Sequence, residues 1–470
     1  MAEIDALSVS RGQKKRRRHE RKKGSKSRFS IPLTGWLGSS DVGLPLAILL
    51  ILSVTIGAGG VPAVRTEGLV VIAAIATALV AVLRDWKGTG ERPGIALRTL
   101  VLSVPALAAL QLIPLPFGIW SALPVRGPLV AAFSTIGATP WWPLSTVPQA
   151  TLWALLSLVP PLVAFHLAFR LPANERWRFV GLIAALSVAS GVLGGLQALL
   201  GDAFFLHSRS INAGPSGFFA NQNTQADFLI IGVLCCIALL SRKSANPAAA
   251  PLFTGAAVFL AVSVVITGSR AGMAMLILPL AFACVVFSRR IAQLRRKSLA
   301  GAILLVAIAG VTVLAMQSSR VQAALARFSD LSGGRITDIW PDSWYLAKEA
   351  FPFGTGIGTF RDSFELIEQL GVVDATRANR AHFDWLEFII EGGLPAAAIL
   401  ALLVVLLMTA LVRKIRTGIA RLDQLSFMAL GVIAIHSIVD YPLRAIAMAV
   451  VAAMFLAWIF SDGTHIDSEL

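Results

Sequence analysis

QSSRVQAALARFSDLSGGRITDIWPDSWYLAKEAFPFGTGIGTFRDSFELIEQLGVVDATRANRAHFDWLEFIIEGG, Gln317–Gly393, is the one long polar interval in an otherwise apolar chain. Pro341 opens a segment with a helical pattern. Gly354, Gly356 and Gly358 then form a glycine-rich turn, and an Arg/His/acid cluster runs from Arg377 to Glu391. The sequence on either side reads as membrane scaffold. Any chemistry is therefore expected in this interval, on whichever side of the membrane it emerges.

The composition supports that reading. Of 470 residues, 56% are hydrophobic and 14% charged, and the mean hydropathy is +0.74. Soluble domains carry nearer a quarter charged residues, so the class is an all-α polytopic membrane protein. The net charge of +15 sits in short clusters between apolar runs, which points to membrane topology rather than to nucleic acid as a partner. Cys235, Cys236 and Cys284 all lie inside apolar runs and read as small buried residues, without disulfide or metal-ligand spacing.

In chain order, residues 1–41 form a basic tail whose run Arg11–Arg28 suits a cytoplasmic segment near anionic lipid. Twelve apolar runs follow, near Val42–Gly59, Gly68–Leu83, Ile95–Leu112, Ala150–Phe169, Phe179–Leu200, Ala226–Leu240, Leu252–Thr267, Gly272–Phe287, Leu299–Met316, Phe388–Leu411, Leu425–Val439 and Leu443–Ile459. They predict about 12 transmembrane helices, nine within 42–316 and three within 388–460, with 317–387 as a long loop and 461–470 as a second tail. Phe117–Ser134 is interrupted by prolines, so the region near 113–148 is expected to be re-entrant or interfacial. If the N-terminus is cytoplasmic and every run crosses, most of the 41 lysines and arginines fall on the cytoplasmic side. Every short loop there is then positive. That agreement with the positive-inside rule places the long loop outside the cytoplasm, where no ATP or nucleotide sugar is expected. The glycine turn also lacks the lysine and strand–turn–helix setting of a phosphate-binding loop.

Four polar constellations fall on the outer side. The first joins His207-Ser-Arg209 to Gly217-Phe-Phe-Ala-Asn221-Gln-Asn223. The second is the turn Thr267-Gly-Ser-Arg270-Ala-Gly272. The third is the loop set Arg335, Arg377, Arg380, His382, Asp384, Glu387 and Glu391. The fourth is His436-x3-Asp440-Tyr441-x2-Arg444. An arginine at a membrane boundary needs a partner or water, and the planar fork of Arg270 suits a phosphate. His436 and Asp440 are spaced to share one helix face. Each site also has a plain structural reading: a snorkelling arginine, a loop histidine, an interhelical pair, a helix-start asparagine. Asp-x-Asp, His-x3-His and Cys/His clusters are missing, as is a nucleophile elbow, so neither an essential metal nor another cofactor is expected.

The pieces GFFANQNTQADFL, TGSRAGMAML, GRITDIWPDSWYLAKEAFPFGTGIGTF, AHFDWLEFIIEGGLPAA and HSIVDYPLRAIAMA, together with QLIPLPFGIW and WWPLSTVPQATLWALL, occur in order from about 111 to 456. This ordered set resembles the O-antigen ligase/polymerase superfamily of bacterial envelope glycosyltransferases. The resemblance implies a GT-C-like helical fold in the bacterial inner membrane, with the active site facing the periplasm. It also implies a glycan donor on undecaprenyl diphosphate and metal-independent transfer, in ligases to lipid A–core and in polymerases to another lipid-linked repeat. Arg270 falls where the family's donor-phosphate arginine lies, and His382 falls at the loop histidine taken as the base. A second phosphate arginine commonly precedes the asparagine-rich piece by three residues. Gly214 stands there in this chain, and the nearest arginine is Arg209. Asp384 or Asp440 would orient the imidazole, with His436, Asn223 and Arg335 in support, and a helix bearing Trp340 and Trp344 would cover the site. The implied function is a ligase-type membrane glycosyltransferase of O-antigen or exopolysaccharide synthesis. A polymerase, an O-linked protein glycosyltransferase and an exporter without chemistry are the alternatives.

Overall fold

The computed structural model describes residues 42–59, 64–84, 93–207, 214–242, 247–294, 339–369, 371 and 378–461. The expectations for the basic tail, the ninth apolar run, Arg209, Arg335, Arg377 and residues 462–470 lie outside these residues.

Eleven of the twelve apolar runs coincide with helices. They are α1 (Gly43–Ile56), α2 (Val64–Arg84), α3 (Ile95–Gln111), the pair α6 (Pro148–Ser157) and α7 (Val159–Phe169), α8 (Ala173–Leu200), α9 (Gln222–Ser241), α10 (Ala250–Ile266), the pair α11 (Arg270–Met275) and α12 (Ile277–Leu294), α15 (Asp384–Thr417), α16 (Arg421–His436) and α17 (Ile446–Phe460). By length and apolarity six spans among the described residues can cross a membrane, and α1, α3, α10 and α17 are shorter apolar helices. The protein is thus an all-α multi-pass membrane protein.

The segment between α3 and α6 holds no helix long enough to cross a membrane. It folds into a two-residue strand pair, β1 (Pro114–Leu115) antiparallel to β2 (Trp142–Pro143), around the short helices α4 (Phe117–Trp120) and α5 (Gly127–Thr135). Phe117, Trp120, Phe133 and Trp142 pack ring against ring at 5.1–6.4 Å. Prolines and glycines stop any longer helix here.

The central element is α9. From Phe228 onward it is apolar around its whole circumference, and residues from Thr224 to Leu239 are buried, as expected of a helix enclosed by other helices. Small residues let α8 approach it closely. A methyl group on Gly232 would sit 2.5 Å from Ser187 Cβ, and Ser187 Oγ donates to the Phe228 carbonyl at 3.1 Å. Asn221 caps the helix, its side chain accepting from the Asn223 amide at 2.8 Å. At the opposite end Arg242 lies 4.7 Å over the Trp177 ring.

The polar interval contributes α13 (Trp340–Ala350), with Pro341 in its first turn, and α14 (Phe360–Phe364). Between them Gly354, Gly356 and Gly358 take φ of +76°, +117° and +88°. The turn reads the backbone of α15, which is two helices joined at Gly393 (φ +61°). Pro395 has no amide to give the Glu391 carbonyl four residues back. That carbonyl instead accepts from Gly356 N at 2.9 Å and Gln111 Nε2 at 2.9 Å. Thr355 N–H donates to Ile390 O at 3.1 Å, and Leu394 N–H donates to Pro352 O at 2.8 Å. Arg126 completes the dock with backbone partners, donating to Pro124 O and Leu144 O and to Gly354 O at 3.1 Å. Burial holds its guanidinium down to about 10.

Candidate active site

His382 lies just before α15 with φ +50°. This is the left-handed region, which costs a residue with a Cβ about 1–2 kcal/mol. Two hydrogen bonds hold the turn. Ala381 N–H donates to Glu387 Oε2 at 2.9 Å, and Asp384 N–H donates to the Ser437 carbonyl at 2.8 Å. The imidazole Nδ1 meets Asp440 Oδ1 at 3.1 Å and the ring lies 4.9 Å from Tyr441. The side chain keeps 15% of its exposure, whereas Asp440 is buried.

Asp440 is held from several directions. Tyr441 N–H donates to Oδ1 at 3.0 Å, Asn221 Nδ2 reaches both oxygens at 3.4 and 3.3 Å, and Asn223 Nδ2 donates to Oδ2. The start of α9 thus supplies donors that orient this carboxylate. With Nδ1 engaged, Nε2 is the nitrogen that can take a proton.

His436 and Asp440 do not act as a pair on one helix face, contrary to their spacing. The helix α16 ends at His436, and Asp440 follows in a turn, its amide bonded to the His436 carbonyl at 2.8 Å. His436 Nδ1 instead meets Asp227 Oδ1 at 2.5 Å, and both residues are buried. Asp227 is one helical turn along α9 from Asn223, so two successive turns of α9 bind the end of α16 at two levels.

Asp384 does not touch the imidazole. It begins a row with Glu387 and Glu391, at i, i+3 and i+7 on one helix face, and all three are buried. Arg444, in the 3-10 turn Pro442–Arg444, lies 3.4 Å from Asp384, 3.1 Å from Glu387 and 3.1 Å from Glu391. Arg380 adds a contact to Glu387 at 3.0 Å. Asp384 Oδ2 accepts from Ser437 Oγ at 3.2 Å and Leu443 N at 3.1 Å, and Glu391 Oε1 accepts from Phe360 N at 3.1 Å. Burial pushes the Arg444 guanidinium down, but the three carboxylates outweigh it and hold the group above the usual arginine value. The guanidinium fork of Arg444 gathers these acids. Among the described residues no group of three His, Cys, Asp or Glu side chains is arranged to hold a metal ion.

Arg270 starts the short helix α11 behind Ser269, whose Oγ accepts from Gly272 N at 3.1 Å. Gly272 packs on Ala226 of α9, where a methyl group would come within 2.6 Å of the Ala226 Cβ. Arg270 is therefore an exposed residue at the end of α9 that carries Asn221 and Asn223. His207 Nε2 lies 3.1 Å from the Phe218 carbonyl and belongs to the loop leading to that end. Trp340 packs on Phe383 at 5.7 Å, which sets α13 beside the residue following His382, and Trp344 is half-exposed.

The structure therefore joins His382, Asp440 and Asn223 by direct contact. His436 sits one level deeper, Asp384 in a neighbouring network, and Arg270 at the same end of α9. Sequence reasoning gave no part to Asp227 or Arg126. An aspartate six residues into an apolar helix is a signal for the first. The second, an arginine amid prolines and glycines, carries no readable code.

No curated protein matches the chain. Residues 255–401, which include Arg270 and His382 and stop before Asp440, match the family described as O-antigen ligase. That match supports the resemblance to the O-antigen ligase/polymerase superfamily, and with it a membrane glycan-processing enzyme of O-antigen synthesis.

Proposed function

We propose that this protein is a ligase-type glycosyltransferase that moves a glycan from undecaprenyl diphosphate to an acceptor hydroxyl, of the lipid A–core class, on the periplasmic side of the inner membrane. The observation that carries the reading is the His382–Asp440 contact at 3.1 Å, in a backbone turn that an unconstrained histidine avoids. His382 Nε2 takes the proton of the acceptor hydroxyl, and the buried Asp440 stabilises the imidazolium that forms. The acceptor oxygen bonds to the anomeric carbon as the bond from that carbon to phosphate oxygen breaks. Undecaprenyl diphosphate leaves with the electron pair. Arg270 meets the charge growing on this leaving group through its bidentate fork, so the step runs without a metal ion. Arg209 is the proposed second arm.

The test is glycan transfer by purified protein with lipid-linked donor and lipid A–core acceptor. Arg270→Ala should abolish transfer while leaving folding intact, because Arg270 is exposed. Arg270→Lys should recover little, since a point charge lacks the fork. A fully active alanine variant would return Arg270 to a role at lipid headgroups.

A further inference from the structure

His382 and Asp440 belong to separate stretches of chain, and neither stretch is a regular element at the point of contact. Their separation is therefore set by whatever ties those stretches together. The tie on the page is Glu387 with Arg444. Glu387 is fully buried; one carboxylate oxygen accepts the Ala381 amide, and the other meets Arg380 and Arg444. Arg444 follows Asp440 by one turn and reaches three acids of α15, two of which flank the backbone of His382 through Asp384 and Glu387.

We propose that Glu387 and Arg444 are positioning residues: they hold the left-handed turn at His382 and fix it against Asp440. The proposal rests on His382 being the base. Glu387 clamps the amide immediately before His382, and Asp384, bonded to Ser437 and Leu443, clamps the residue two after it. With both clamps set, the backbone at His382 has no cheaper conformation to relax into. Arg444 supplies the positive charge that offsets the three buried carboxylates packed around it. Lysine at 444 would keep the charge but could not reach all three acids at once. Glutamine at 387 would keep an acceptor for Ala381 but lose its hold on both arginines.

The experiment uses full-length protein in lipid nanodiscs. Arg444→Lys and Glu387→Gln are read by glycan transfer and by diethyl pyrocarbonate modification of His382 followed by mass spectrometry. The expected result is a loss in kcat of about 10²-fold, the scale of a misplacement near 1 Å, with KM for the lipid donor unchanged. His382 should react faster with the reagent, because it has swung away from Asp440. Folding is checked by thermal unfolding, and Glu387→Gln serves as the isosteric variant if Arg444→Lys fails to fold. Wild-type kcat and a wild-type modification rate in a folded variant would overturn the proposal. The modification rate does not depend on transfer, so it still reads the positioning if the wild type forms no glycosidic bond, a result that would defeat the proposed function alone.

Discussion

His382 and Asp440, 58 residues apart in sequence, meet at 3.1 Å, one partly open to solvent and the other buried beneath two asparagines of the central helix. A neutral imidazole with one nitrogen fixed and the other available is the arrangement a general base needs. The partner's contribution follows directly.

Asp440→Asn should cut kcat by about 10²-fold or more, the usual scale for acid–base contributions. The amide fills the same space but cannot stabilise an imidazolium. KM for the lipid donor should hold, because the diphosphate is bound elsewhere. Steady-state kinetics on the purified variant check this. A kcat within twofold of wild type, on the scale of that 10²-fold expectation, would remove Asp440 from the reaction.

Gly393→Ala should destabilise the fold by about 2–4 kcal/mol, the sum of left-handed strain and overpacking. A methyl group there would come within 2.7 Å of the Pro352 carbonyl carbon and 2.8 Å of the Gly354 nitrogen. Its loss should separate the glycine turn from α15 and lower the unfolding temperature in detergent. Gly371→Ala, at an exposed position with open space around it, is the control and should unfold as wild type does.

Topology is tested at the same exposed residue. Gly371→Cys, in a Cys284→Ser background because Cys284 is the exposed native thiol, should react with a membrane-impermeant maleimide in cells whose outer membrane alone is permeable. Labelling only after lysis would put the site in the cytoplasm and end the lipid-linked donor reading.

Much of this was legible in the sequence because membrane helices announce themselves by composition. The apolar runs mark the described helices to within a few residues; α15 starts at Asp384 rather than near Phe388, since a polar first turn carries no apolar signal. His382 and Arg270 were singled out by residue type and setting. The partners were not, because contacts between distant segments have no local code. The four-residue spacing of His436 and Asp440 suggested a shared face, yet the helix stops at His436 and each finds a different partner. Asp384 and Asp440 were equal candidates to orient the imidazole until Arg444 was seen to gather Asp384 with Glu387 and Glu391.

The central claim is that His382 accepts the acceptor's proton, and His382→Gln tests it most directly. Glutamine can still hydrogen-bond toward Asp440 but cannot be protonated at neutral pH. With purified protein, undecaprenyl-diphosphate-linked glycan and lipid A–core, transfer should fall by about 10²–10⁴-fold while donor binding is retained. Transfer at the wild-type rate by the glutamine variant would contradict the account.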